Sequence, residues 1–256
     1  MDFALQLWSI NTKLEKDFYG TLEKVAKMGY TGVEFAGYGQ KPAAELKKNL
    51  DKYGLIAVGS HISLDKLKNN LQDEIEYSLA IGNKYLVCPW AKLENRADID
   101  ELANILNHAA NEAKKHGLKI AYHNHNHEFE KIDGQYILDT LIKNTTDVAF
   151  EIDIFWVKHA GLDPIEYIKK CGDRAPLIHL KQIDPNKKNV DFSEGIIDML
   201  QIIKASKYAE HFIIEQERLA PTPLASAKNN INWMRDVSAS HIANQSDSGT
   251  LPSSIG

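Results

Sequence analysis

The chain has 256 residues, 43% hydrophobic and 25% charged, with a formal net charge of −5. That balance fits a soluble protein with a sizeable core and leaves no electrostatic footprint for nucleic acid or an anionic membrane. No apolar stretch approaches the roughly 20 residues that span a bilayer. Two separated cysteines, Cys88 and Cys171, with no CxxC, read as free thiols of a reducing compartment, so a cytoplasmic protein is expected.

In chain order, short apolar runs mark strands at Phe3–Trp8, Gly32–Phe35, Leu55–His61 and Tyr85–Cys88. Four more follow at Leu118–Asn124, Val148–Ile154, Leu177–Ile183 and His211–Gln216. The opening Met-Asp-Phe-Ala-Leu-Gln-Leu-Trp has no basic n-region and reads as the first strand rather than a signal peptide. Between the strands the period is helical. Phe18, Leu22 and Val25 share one face; Leu46, Leu50 and Tyr53 share the next. Leu64, Leu67, Leu71, Ile75 and Leu79 predict one continuous helix, and Leu102 to Ala113 a long fourth. Further helices are predicted at Tyr136–Lys143, Pro164–Lys170 and Glu194–Lys207, and a last one around Leu224–Val237.

The boundaries agree with this count. Pro42 and Pro164 stand at first helical positions, Pro164 behind the N-cap candidate Asp163. Gly29, Gly54, Gly82, Gly117 and Gly172 each close a helical stripe ahead of a strand. The unit recurs about every 30 residues, which suits a (β/α)8 TIM barrel of this length. An open doubly wound sheet is second choice, since no G-x-G-x-x-G follows the first strand. No linker interrupts residues 1–237, read as a single barrel domain; 238–256, rich in Ser, Ala, Asn and Gly, reads as a flexible C-terminal tail.

Such barrels carry their chemistry at the C-terminal ends of the strands. Here those ends hold Glu34, His61, the Cys88-Pro89-Trp90 turn, His123 and His125, Glu151 and Asp153 followed by Trp156, His179 and Lys181, and Glu215 and Glu217. Alternate strand residues share a face, so the last three strands each offer a same-face pair toward the barrel mouth. Burying Glu151 and Asp153 in an apolar strand costs several kcal/mol unless cations neutralise them. Histidine, Lys181 and a divalent first-row metal are the available partners. Glu151 and Glu217 read equally well as ligands or as partners of Lys181, Lys158 or Arg218. Alone, the tract His123, His125 and His127 could also be a solvated loop.

Residues 122–129, Tyr-His-Asn-His-Asn-His-Glu-Phe, and 150–156, Phe-Glu-Ile-Asp-Ile-Phe-Trp, carry a family resemblance. Gly-Leu-Asp-Pro at 161–164, His-Leu-Lys at 179–181 and Ile214-Glu215 continue it in order. Over about residues 1–237 the chain resembles the sugar phosphate isomerase/epimerase group of xylose-isomerase-like TIM barrels. That group includes inosose dehydratases, ketose 3-epimerases and hydroxypyruvate isomerases. The resemblance implies one divalent metal, commonly Mn²⁺ with Co²⁺, Mg²⁺ or Zn²⁺ as substitutes, held by strands five to eight. Asp153, His179 and Glu215 fall on the last three ligand positions. The ketose epimerases have Glu on strand five; this chain offers His123 there, with His125 the alternative ligand or a substrate contact. Gln182 is a second departure, where many relatives have Asp.

The implied reaction polarises a hydroxy-ketone and stabilises an enediolate. Glu215 is the candidate base and Lys181 the donor to the developing oxyanion. Glu34, His61 and His125 would bind hydroxyls of a small sugar or polyol, and Trp156 and Trp8 would wall the sugar or pack in the core. Reprotonation gives isomerisation or epimerisation; loss of a β-hydroxyl gives a lyase. A sugar- or metal-binding barrel without turnover is the third reading. Apurinic endonucleases share the barrel but need a three-metal cluster and DNA contacts, which this sequence does not offer. A homo-oligomer is compatible with the resemblance.

Overall fold

Eight parallel strands close on themselves. The computed structural model describes residues 1–217 and 223–247, with side chains described through residue 239. The barrel strands are β1 (Ala4–Gln6), β2 (Gly32–Phe35), β3 (Ile56–His61), β4 (Tyr85–Cys88), β5 (Lys119–His123), β6 (Ala149–Asp153), β7 (Leu177–Leu180) and β8 (His211–Ile214). Each pairs with its sequence neighbours, and β1 closes on β8 through Ala4 opposite Ile213. This is the (β/α)8 barrel the strand count predicts. The main outer helices are α1 (Phe18–Met28), α2 (Ala43–Tyr53), α3 (Leu71–Ile81), α4 (Arg96–Lys114), α5 (Ile137–Asn144), α6 (Pro164–Cys171), α7 (Met199–Ala205) and α8 (Pro223–Asp247). Among the described residues no helix is long and apolar enough to cross a membrane.

Strand alternation builds two cores. Val33, Leu86, Tyr122, Phe150, Ile178 and Ile214 face outward and pack beneath the helices in one cluster. Ala4, Val58, Tyr85, Val87, Ala121, Ala149, Leu177 and Ile213 make a separate cluster inside the barrel. Two residues further along the same inward faces stand Gln6, His123, Glu151, His179 and Glu215, all buried. The lower barrel is therefore apolar and the upper barrel ionisable. That layering is the period of two applied to strands of matched register.

β3 departs from simple alternation. Its register against β2 shifts between Val33 and Glu34, a bulge that aligns Glu34 with Gly59. Counting by twos from Val58 would turn Ser60 inward; after the bulge His61 faces the barrel, and Ser60 accepts from Asn83 instead (3.1 Å). A Cβ at Gly59 would lie 2.5 Å from Glu34 Oε1, so a larger residue there would displace that carboxylate.

Several elements differ from the expectation. The predicted helix Leu64–Leu79 is two, Leu64–Asn69 and α3, broken at Asn70, whose φ of −135° is not helical. Asn is a weak helix former, so the break falls at a residue that costs little to leave the helix, and its side chain makes no cap hydrogen bond there; Leu79 is left exposed. The predicted start of α7 at Glu194 fails because Gln182 holds the preceding loop. Its amide donates to Ile197 O (2.9 Å) and accepts from Ile197 N (2.9 Å), and a Cβ on Gly195 would strike its side chain. Gln182–Ile183 accordingly leaves β7 and pairs with Asn189–Val190 in a small antiparallel hairpin. Pro42 caps α2 rather than beginning it, whereas Pro164 does open α6 behind Asp163. Finally, α8 continues to Asp247, into the segment expected as tail; residues 248–256 of that tail lie outside the described residues.

Candidate metal centre

Asp153 ends β6 and divides its two oxygens. Oδ1 accepts the backbone N–H of Phe155 (2.8 Å) and Trp156 (3.3 Å), capping the short helix Ile154–His159. Oδ2 is buried without a hydrogen-bond partner. It lies 3.9 Å from His123 Nε2 and 4.0 Å from Lys181 Nζ. Across the mouth, His179 Nδ1 lies 3.0 Å from Glu215 Oε2. His123, Asp153, His179 and Glu215 thus offer four buried ligand atoms, all within 4.8 Å of one another. Ligands on opposite sides of an ion with bonds of about 2.1 Å stand about 4 Å apart, so the cluster has the size of a coordination sphere. Mixed imidazole and carboxylate donors suit a divalent first-row metal, and the orphaned Asp153 oxygen is what such an ion would satisfy. The residues fit the group.

The far nitrogens of both histidines meet carboxylates. His123 Nδ1 is 2.9 Å from Glu151 Oε2; His179 Nε2 is 3.2 Å from that oxygen and 2.7 Å from Glu34 Oε2. Carboxylates behind a ligating histidine fix its ring and tautomer. His61 also lies 2.9 Å from Glu151, and Gln6 donates to Glu34 at 2.7 Å. His61, His123, Glu151 and His179 form a second group of metal-holding size. That group would take up Glu151 Oε1, buried and unpartnered like Asp153 Oδ2, and would leave Asp153 Oδ2 orphaned; the first group is the one that matches the ligand positions implied by the sequence resemblance.

Charge in this cluster is uneven. Burial, then the neighbouring Glu151, pushes Glu34 up to about 7. Burial pushes Asp153 up to about 7 against the pull of Lys181. At Glu215 burial is outweighed by Lys181 and His179, which hold the carboxyl well below its usual range. Burial drives His123 down to about 4 and His125 down to about 2, leaving both neutral at pH 7 with a lone pair to offer. His179 goes the other way: despite burial, Glu151 and Glu34 raise it well above its usual value. The positive charge these carboxylates draw onto His179 is charge that a divalent ion would bring instead. Lys181, buried, lies 2.7 Å from Glu217 and 3.7 Å from Glu215, with its ammonium 5.1 Å from the Trp156 ring centre. Three carboxylates and an aromatic face hold it cationic despite burial.

Above the cluster opens a cavity of about 580 Å³, lined among others by Trp8, His61, Trp90, His125, Glu215 and Glu217. Of the expected substrate contacts, His61 and His125 line it. Glu34 lies deeper, behind His179, and Trp156 packs under Lys181 against the core. Trp8, for which core packing was an equal expectation, is 54% exposed. The histidine tract splits into three. His123 enters the cluster; His125 lines the cavity, its Nδ1 buried without a partner. His127 turns away, its Nε2 3.1 Å from Ala91 O. Glu128 is buried between Tyr122 Oη (2.6 Å) and the His125 N–H (2.8 Å), so it organises the loop. Glu217 pairs with Lys181, one of the partners expected for it, while Glu151 pairs with histidines instead.

Gln6, Asn124 and Trp90 received no role from the sequence. Gln6 follows Ala4 on an inward face, a signal that alternation carries. Asn124 exchanges hydrogen bonds with the Asp153 backbone (3.3 and 3.1 Å), which ties β5 to β6 beside the cluster; no sequence pattern marks it.

Similar proteins share this architecture. An inosose dehydratase of Geobacillus kaustophilus (strain HTA426) is 24% identical over 189 residues, 63% of this chain and 61% of that protein. The chain therefore matches about three fifths of that relative's length. A sugar phosphate isomerase/epimerase from Parabacteroides distasonis ATCC 8503 superposes with a TM-score of 0.82 at 25% identity, covering 91% of this chain and 96% of the other. The IolI protein, solved with a bound zinc atom, superposes with a TM-score of 0.72 at 16% identity, covering 93% and 98%. Residues 22–237 match the family model of the xylose isomerase-like TIM barrel, and the chain belongs to that family.

Proposed function

We propose that this chain is a metal-dependent isomerase or epimerase that removes the proton beside the carbonyl of a small polyhydroxylated ketone. The observation that carries the reading is the buried, unpartnered Asp153 oxygen within the His123, Asp153, His179 and Glu215 cluster, directly under an open cavity. A divalent ion held there, Mn²⁺ by preference, would supply Lewis acidity to the carbonyl and its neighbouring hydroxyl.

The chain's own groups do the rest. Glu215, ionised and facing the cavity, accepts the α-proton on a carboxylate oxygen. Lys181, 3.7 Å from Glu215 and fixed by Glu217, offsets negative charge as the enediolate forms. His61 and His125 bind hydroxyls from the rim, and the apolar ring of Trp8 shields one side of the substrate. Return of the proton to the neighbouring carbon completes isomerisation.

A dehydratase reading has its own support. His125 lines the cavity, where its ring can hydrogen-bond a departing hydroxyl that leaves as water with the α-proton held on Glu215. The similarity to an inosose dehydratase favours the same outcome. One assay separates the readings. Protein supplied with Mn²⁺ and a panel of ketoses and inososes in D₂O should exchange the α-proton with solvent. Exchange with a rearranged product supports the isomerase; new ultraviolet absorbance from an unsaturated product supports the lyase. Sugar binding without exchange would overturn both and leave a non-catalytic barrel.

A further inference from the structure

The mouth cavity has a neighbour. A second cavity of about 380 Å³ lies between the segment following β1, Leu7 to Lys16, and the segment following β2, Ala36 to Lys41. The two share Trp8, Ala36 and Gly37 as a common wall. That wall is low at Gly37, where a Cβ would meet nothing within 4 Å, and its φ of +89° disfavours any side chain there. Trp8 stands at the divide, 54% exposed, with its backbone N–H donating to Gln6 Oε1 (3.0 Å). Gln6 also donates to Glu34, so the backbone at Trp8 is tied to the carboxylates behind the metal cluster. Trp90, 53% exposed, lines the mouth cavity as well.

The lining of the second cavity mixes apolar and polar groups. Leu7, Leu14 and Phe18 give an apolar lining, and Asn11, Glu15 and Lys16 give polar groups along it. Apolar walls with a few fixed polar groups bind a ring that is apolar on its faces and polar at its edge. A cavity of about 580 Å³ already lies within the ~300–1,000 Å³ that a whole ligand occupies. A bare monosaccharide would leave the space beyond Trp8 empty.

We propose that the substrate is a two-unit glycoside whose reacting unit carries the ketone. Its reacting ring sits over the metal cluster, and the glycosidic partner, a second sugar ring, lies across Trp8 in the second cavity. The inference rests on the function proposed above and names its substrate class. The second ring makes no contact with the reacting atoms, and its binding energy holds the first ring in place.

Calorimetric titration of Mn²⁺-supplemented protein with glucose, cellobiose, maltose and glucose 6-phosphate tests this. At least one disaccharide should bind about tenfold or more tightly than glucose, a difference of about 1.4 kcal/mol. Glu15→Trp, a change at an exposed position, fills the second cavity and should bring that disaccharide down to the affinity of glucose while glucose is unaffected. Trp8→Ala should weaken both sugars. No disaccharide binding better than glucose, an unchanged preference in Glu15→Trp, or glucose 6-phosphate binding more tightly than every neutral sugar would each overturn the proposal. Loss of proton exchange with the disaccharide preference retained would sink the enzymatic reading and leave the two subsites standing.

Discussion

Glu151 Oε2 lies 2.9 Å from Nδ1 of His123, the nitrogen opposite the one that faces Asp153. The same oxygen is 3.2 Å from His179 Nε2, so one carboxylate braces both histidines of the candidate metal centre. Glu151→Gln keeps the volume and removes the charge. Supporting carboxylates of this kind are worth about 10–100-fold in metal affinity. Chelator competition with Mn²⁺ should show a loss of that size with an unchanged circular dichroism spectrum. Full affinity in the variant would mean that the histidines are oriented by something else.

Asp153 separates a fold role from a ligand role by oxygen. Asp153→Asn retains an oxygen for the Phe155 and Trp156 N–H groups but removes the negative charge offered to the metal. Asp153→Ala loses both. Elemental analysis after desalting should find metal absent from both variants. Urea unfolding of the two metal-free proteins should find Ala less stable than Asn by about 1 kcal/mol, the usual worth of an N-cap. Tight metal binding in either variant would remove Asp153 from the ligand set.

The barrel was legible because eight apolar runs at regular spacing are a strong pattern, and alternation within them already turns His123, Asp153, His179 and Glu215 toward one mouth. What the pattern could not carry was anything decided by a single side chain acting across the sequence. The bulge that turns His61 inward aligns Glu34 with Gly59, a pairing across strands that no local pattern marks. The late start of α7 depends on Gln182 reaching residues 195–197. Gln182 had drawn attention as a departure at the site; its amide is wholly engaged in that loop. The bridging position of Glu151 was equally hidden, since pairing with lysine or with histidine looks the same in a strand sequence.

Lys181 is buried among three carboxylates, its charge balanced by Asp153, Glu215 and Glu217. Lys181→Met preserves much of the stem and removes the ammonium. Metal binding should persist, because Lys181 is no ligand, while the rate of α-proton exchange should fall about 100-fold or more, as for loss of one charge-stabilising donor. An exchange rate within twofold of wild type would exclude Lys181 from the chemistry.

Cys88 and Cys171 are both free and buried, and burial pushes each thiol up to about 12. Thiolate, the reactive form, is therefore scarce at neutral pH. Ellman's reagent should find no accessible thiol in the native protein and two after denaturation. Rapid modification of either in the folded state would contradict the packing of β4 or α6.

At the opposite end of the barrel, Glu210 joins Lys84 (2.5 Å) and Lys119 (3.1 Å), just below the inward-facing Tyr85. Burial would raise its pKa, but hydrogen bonds from Lys84, Tyr85 and Lys119 lower it to about 2. A carboxylate depressed in the folded state stabilises the protein above its unfolded pKa, about 4.3, and loses that contribution as pH falls toward 2. Its side chain is 35% exposed, so solvent screening limits the effect to about 1 kcal/mol. Glu210→Gln should therefore melt about 2–4 °C below wild type at pH 7, and the gap should narrow as the pH is lowered from 5 to 3. A gap that is constant across that range would show that Glu210 contributes by packing and not by charge.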